Sequence, residues 1–243
     1  MASIYACDAM ELDQKMNGTL FGVGLGPGDP DLITLKAARL IENATTIAYP
    51  TLAGGDSFAR AIAADLIKPD AREIRMDVPM TTAREPAQAA YDKGATDIAA
   101  ILKAGEDVVC LCEGDPFFYG SFMYLHARLA PKFTVKVIPG VTSVTACAAE
   151  AGQPLVARNE RLTILPGPMD EATLRERIAG AEAVAIMKVG RHLPKIKAVI
   201  DDLGFSWAFV LDCPAAIVVA CKGAVRRWRL SRIHTLMPGL VPQ

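Results

Sequence analysis

Leu20-Phe21-Gly22-Val23-Gly24-Leu25-Gly26-Pro27-Gly28-Asp29 decides the architecture of this chain. A short apolar run ends in closely spaced glycines, and Leu32, Leu35, Ala38, Leu40 and Ile41 then recur near helical spacing. Strand, glycine-rich turn and helix in that order begin an α/β fold. Glycine in such a turn allows φ > 0 and lets a ligand approach the main chain. Asp29 or Asp31 is the expected N-cap of the helix. Two nucleotide motifs are excluded. A dinucleotide fingerprint needs a third glycine where Pro27 or Asp29 stands, and no Gly-Lys-Ser/Thr closes a phosphate loop. A plain tight turn is the alternative reading of the cluster.

The same alternation continues outward. Strands are expected at Leu20 to Leu25, Thr45 to Tyr49, Glu73 to Val78, Asp107 to Cys112 and Thr134 to Ile138. Helices are expected at Leu32 to Asn43, Ser57 to Ile67, Glu85 to Lys103, Phe122 to Leu129 and Thr142 to Ala151. Beyond Pro154, strands at Arg161 to Leu165, Ala183 to Met187 and Ala208 to Leu211 alternate with helices at Glu171 to Ile178 and Leu193 to Leu203. The pattern predicts a largely parallel sheet and has no repeat of 20 to 50 residues. We expect a loose leader over 1–17, a first α/β domain over 18–120 and a second over 121–243, divided near Gly120, with 213–243 atypical.

Bulk properties bound the function. The 243 residues are 51% apolar and 22% charged, which suits a folded core. A formal net charge of −1 supplies no global field to collect nucleic acid or anionic lipid, so neither is an expected partner. Stretches such as Ala215 to Cys221 fall short of the roughly 20 residues a membrane helix needs, and the first 16 residues lack a secretory pattern. The six cysteines form no Cys-x-x-Cys and the three histidines are scattered, so we expect no metal site, reduced thiols and a cytoplasmic protein.

Two further loops follow strands. Glu113-Gly114-Asp115-Pro116-Phe117-Phe118-Tyr119 comes after Val108 to Cys112, and Ile138-Pro139-Gly140-Val141-Thr142-Ser143 places two hydroxyls at a helix start. Carboxyl ends of parallel strands are where open α/β sheets bind ligands. Each loop alone is also ordinary turn or capping chemistry.

The three loops in this order resemble the tetrapyrrole methylases, over roughly Thr19 to Leu203. Ala48-Tyr49 with Ser57 to Arg60, Leu162 to Gly167 and Met187 to Pro194 are similar to the precorrin-2 C20-methyltransferase branch. The resemblance implies two αβα domains, each with a mainly parallel or mixed sheet flanked by helices, and a cofactor cleft between them. It implies methyl transfer from S-adenosylmethionine to C20 of precorrin-2, giving precorrin-3A in cobalamin biosynthesis, by a homodimer. A sibling methylase acting on cobalt-factor II or a uroporphyrinogen-derived tetrapyrrole is the alternative. A tetrapyrrole carrier without catalysis would not need three cofactor loops.

Carried over by position, the family's cofactor contacts fall on Pro27, Glu113, Gly114, Asp115, Ser121, Phe122, Thr142, Ser143 and Met187. The polycarboxylate substrate implied calls for basic side chains near loops, and Arg60, Arg84, Arg158, Lys188 and Arg191 are the candidates. Tyr49, Glu113 and Tyr119 are the candidates for the proton acceptor that follows methyl transfer.

From Cys213 to Gln243 the chain holds five Lys or Arg and no Asp or Glu. Ala215 to Ala220 fits a strand, whereas Arg226 to Arg232 does not alternate as one. A diverged ending and an ending read in a shifted frame are both open. A nucleic-acid-binding tail is the weaker reading, because Trp228 is its only large aromatic.

Overall fold

The first sheet is built from five strands, β1 (Leu20–Gly24), β2 (Thr46–Leu52), β3 (Arg72–Val78), β4 (Val108–Cys112) and β5 (Val135–Ile138), in the spatial order β3-β2-β4-β1-β5. All its neighbours pair in parallel. This computed structural model describes residues 17–52, 55–79, 85–152, 154–210 and 217–221. The helices of the first unit are α1 (Leu35–Asn43), α2 (Phe58–Ile62), α3 (Glu85–Lys103) and α4 (Phe122–Leu129). Every residue of β4 is buried, so both of its faces are covered, as its unbroken apolar sequence requires. Leu20, Cys110 and Cys112 on one face pack with Ile98 and Leu102 of α3 and Leu125 of α4.

Local chemistry sets the helix starts. Asp29 accepts from Asp31 N and caps only the short 3-10 turn Pro30–Leu32. α1 begins later, where Thr34 accepts from Ala37 N at 3.2 Å, and neither expected aspartate caps it. Thr34 wins because its extended backbone leads directly into the amphipathic segment that buries Ala37 and Ile41.

Contacts divide the chain into two compact units, Met1–Val141 and Thr142–Gln243. The boundary expected near Gly120 therefore lies inside the first unit. The reason is β5, which pairs with β1 from Leu20↔Val135 to Val23↔Ile138 and so carries α4 with it. Residues 1–16 of the expected leader lie outside the described residues.

The second unit holds β6 (Leu162–Pro166), β7 (Ala183–Met187), β8 (Ser206–Val210) and β9 (Ile217–Cys221) in the order β6-β7-β9-β8. β6 and β7 are parallel, and β9 runs antiparallel to both β7 and β8, so this sheet is mixed. Its helices are α5 (Ser143–Glu150), α6 (Glu171–Ala179) and α7 (Leu193–Asp202). Leu174 and Ile178 of α6 and Ile196, Val199 and Ile200 of α7 share a core with Val184, Ile186 and Val218. Ala183, Ala185 and Met187, on the other face of β7, are buried as well. The strand expected at Ala215 to Ala220 is β9, which completes the sheet between β7 and β8. The Arg226 to Arg232 stretch lies outside the described residues. Among the described residues no helix is long and apolar enough to cross a membrane.

Candidate functional site

Connections determine where a ligand can enter the first sheet. The chain leaves β1 toward β2, passing β4, and leaves β4 through α4 toward β5, passing β1. Neighbouring strands that send their connections opposite ways open a crevice at their carboxyl ends. The glycine turn after β1 and the Glu113 loop after β4 both stand at that switch point.

There the main chains touch. Leu25 N donates to Cys112 O at 2.9 Å, Gly26 N to Gly114 O at 3.2 Å and Gly114 N to Gly26 O at 2.7 Å. The third loop closes on both. A Cβ on Gly24 would lie 2.5 Å from Gly140 N, and one on Gly140 would lie 2.1 Å from Gly114 O. These are backbone atoms with little freedom to move aside, so only glycine fits. Gly114 has φ 62° and nothing within 4 Å of its Cβ direction, so the space over its Cα is open. Pro27 is buried in the turn between Gly26 (φ 80°) and Gly28 (φ 146°).

Asp115 ties the arrangement together. Its Oδ2 accepts from Gly140 N at 3.1 Å and its Oδ1 from Phe117 N at 2.9 Å. The expected cofactor contact is thus first a clamp between two loops. Beside it the Glu113 side chain still reaches solvent, yet surrounding protein desolvates the carboxyl enough to push its pKa up.

Tyr119, Arg158 and Lys188 are the non-glycine residues with positive φ among the described residues, at 56°, 50° and 56°. All three are sequence candidates. Left-handed backbone is unfavourable for such side chains and collects at functional sites. Tyr119 is 38% exposed, and its ring meets Phe118 edge-on. Ser121 begins α4 without a side-chain cap bond. Phe122 is 2% exposed, and a Cβ on Gly22 would lie 2.4 Å from its ring. It is a core residue that seats α4 on β1.

In the second unit Thr142 stands at the N-cap of α5 but makes no side-chain cap bond, its hydroxyl lying 3.3 Å from that of Thr145. Ser143 is buried. Buried Met187 ends β7, and its carbonyl accepts from Gly167 N at 2.7 Å. Lys195 Nζ donates to Gly167 O at 3.1 Å and also to Met169 O. The two stretches that mark the branch, Leu162 to Gly167 and Met187 to Pro194, therefore meet where β6 and β7 end, through Gly167 N and Met187 O. Arg191 and His192 lie in the 3-10 turn Gly190–His192. Desolvation and the charges of Lys195 and Arg191 lower the His192 pKa, as expected in a basic neighbourhood.

Two candidates have other partners. Arg60 forms a bidentate pair with Glu73, Nε and Nη2 each donating at 2.8 Å, and Tyr49 O–H donates to the same carboxylate. Arg60 chiefly, with Tyr49, holds the Glu73 carboxyl down at about 2, and burial together with Glu73 raises the Tyr49 phenol. Arg60 thus has its fork filled from within the unit, and Tyr49, 3% exposed, faces a carboxylate. Arg158 is exposed in a turn closed by Glu160 N donating to Ala157 O at 3.0 Å. Arg84 lies outside the described residues. No group of three or more His, Cys, Asp or Glu among the described residues could hold a metal ion.

Glu73 and Lys195 were not anticipated. The alternation of Glu73, Arg75 and Asp77 on one strand face was a readable sign of a polar ladder. Nothing local marks Lys195, whose partners lie 26 and 28 residues away.

A precorrin-2 C(20)-methyltransferase of Sinorhizobium sp. is 47% identical over 195 residues, 77% of this chain and 80% of that protein. The cobalt-precorrin-2 C(20)-methyltransferase of Salmonella typhimurium is 28% identical over 215 residues, 88% of this chain and 89% of that one. The solved uroporphyrin-III C-methyl transferase of Thermus thermophilus, complexed with S-adenyl homocysteine, superposes with a TM-score of 0.60 at 24% identity. It covers 83% of this chain and 92% of that one, and shares its fold. The profile that matches residues 19–221, and so reaches through β9, settles the family: the chain belongs to the tetrapyrrole (corrin/porphyrin) methylases.

Proposed function

We propose that this chain transfers a methyl group from S-adenosylmethionine to C20 of precorrin-2, forming precorrin-3A in cobalamin biosynthesis. The observation that supports it most is the clasp of three glycine loops at the switch point of the first sheet, with the space over the Gly114 Cα open. Such a rigid cradle without side chains suits a donor that must be held in line. S-adenosylmethionine supplies an electrophilic methyl, and the macrocycle an electron-rich carbon. Holding the two in line contributes on the order of 7 to 11 kcal/mol, and no nucleophilic side chain is needed.

We assign donor binding to Pro27, Glu113, Gly114, Asp115, Ser121, Thr142, Ser143 and Met187, with Phe122 supporting from the core. We assign substrate carboxylates to Lys188, Arg158 and Arg191, whereas Arg60 would first have to leave Glu73. The higher identity to a protein named for precorrin-2 than to one named for its cobalt form favours a metal-free macrocycle. The reading includes a homodimer in the cytoplasm, as the family resemblance implies, and sedimentation tests the dimer.

The deciding experiment incubates the chain with methyl-labelled S-adenosylmethionine and precorrin-2 and locates the label by carbon NMR. Label at C20 is expected. Label at another carbon would make the chain a sibling methylase, and none would make it a carrier.

A further inference from the structure

We infer that Glu113 is the proton acceptor of the reaction, taking the C20 hydrogen after the methyl group has been transferred. This rests on the proposed function above. Of the three residues able to serve, the fold leaves one. Tyr49 is buried and already donates to Glu73. Tyr119 lies beyond the clasp, exposed and packed edge-on against Phe118. Glu113 directly follows β4 at the switch point, between Cys112, whose carbonyl is bonded to Leu25 N, and Gly114, which is bonded twice to Gly26. Its backbone is therefore fixed on both sides.

Its carboxyl has no hydrogen-bond partner among the described residues, although the neighbouring Asp115 has two. The segments that meet the main chains on either side of it, 25–28 at Cys112 and Gly114 and 139–141 at Gly114, carry no charge. Among the described residues the ionisable groups beside it in the loop are the buried Cys112 thiol and the Asp115 carboxylate, which is turned toward Gly140 N and Phe117 N. Desolvation in that setting raises the basicity of the carboxylate, as a general base requires.

The step balances without a further reactant. The C20–CH3 bond forms as the S–CH3 bond breaks, releasing the neutral thioether S-adenosylhomocysteine and leaving the positive charge on the macrocycle. Glu113 takes the proton from C20, the C–H electron pair returns to the conjugated ring, and the acid then passes its proton to solvent.

Glu113→Gln and Glu113→Asp are to be compared with the intact protein on precorrin-2 carrying hydrogen or deuterium at C20, with S-adenosylhomocysteine affinity measured by calorimetry. Glu113→Gln should lower kcat, measured at saturating donor, roughly 10²- to 10⁴-fold, and by far more than it lowers S-adenosylhomocysteine affinity. It should also expose a primary isotope effect, with S-adenosylhomocysteine released before the final chromophore appears, and Glu113→Asp should recover part of the rate. A kcat within twofold of wild type overturns the inference. So does a loss of S-adenosylhomocysteine affinity that accounts for the whole change, which would make Glu113 a binding group only. Should Glu113→Gln fail to fold, an ordinary carboxylate value in the pH-rate profile of the wild-type protein overturns it equally. A wild-type protein that places no label on precorrin-2 removes the proposed reaction instead, an outcome read before any variant is made.

Discussion

Asp115→Ala separates a clamp from a ligand contact. The substitution removes the acceptor for Gly140 N in a partly buried position and the acceptor for Phe117 N in an exposed one. A hydrogen bond to a charged group contributes about 1.5 to 3 kcal/mol, and the Phe117 amide turns to water at little cost. We therefore expect a loss of about 2 to 3 kcal/mol in the protein without ligand. With a urea m-value of about 2 kcal/mol/M, the first unfolding transition, followed by far-UV circular dichroism, should move down by roughly 1 M. Asp115→Asn keeps one acceptor and should lose about half as much. Loosened loops should also weaken S-adenosylhomocysteine binding about tenfold, as 1.4 kcal/mol of ordering is added to association. If Asp115→Ala bound the ligand weakly but unfolded at the wild-type midpoint, Asp115 would act on the ligand alone and the clamp argument would be wrong.

Gly140→Ala forces a methyl against Gly114 O and should destabilise by about 1 to 3 kcal/mol, and a wild-type melting temperature would contradict the close approach. Glu73 titrates at about 2 when folded against an ordinary value of 4.5, so its stabilisation is complete above pH 4.5 and fades as pH falls toward 2. Arg60 is 42% exposed, so solvent screening reduces the contribution to about 1 kcal/mol. Urea midpoints of Glu73→Gln should accordingly fall less than wild type across that window, and parallel curves would refute the pairing. Lys195→Met leaves the Gly167 and Met169 carbonyls without their ammonium and should destabilise the second unit by about 1.5 to 3 kcal/mol, read from far-UV circular dichroism during urea unfolding.

The amino-acid sequence alone determined the strand and helix succession, because burial on both faces writes unbroken apolar runs such as Val108 to Cys112, and amphipathic helices write a 3.6-residue period. It also marked the three loops, since glycine is required where backbones approach as closely as at Gly24 and Gly140 and is favoured where φ is positive, as at Gly114. Periodicity is silent on which segments meet. That β5 returns to the free side of β1, moving the boundary past Gly120 to Val141, depends on pairing between residues more than a hundred positions apart. Likewise Asp115 reads in sequence as a ligand contact and Arg60 as a carboxylate receptor. Only the tertiary structure brings Gly140 N to the first and Glu73 to the second, because a charged side chain takes the partner that folding places within hydrogen-bond reach.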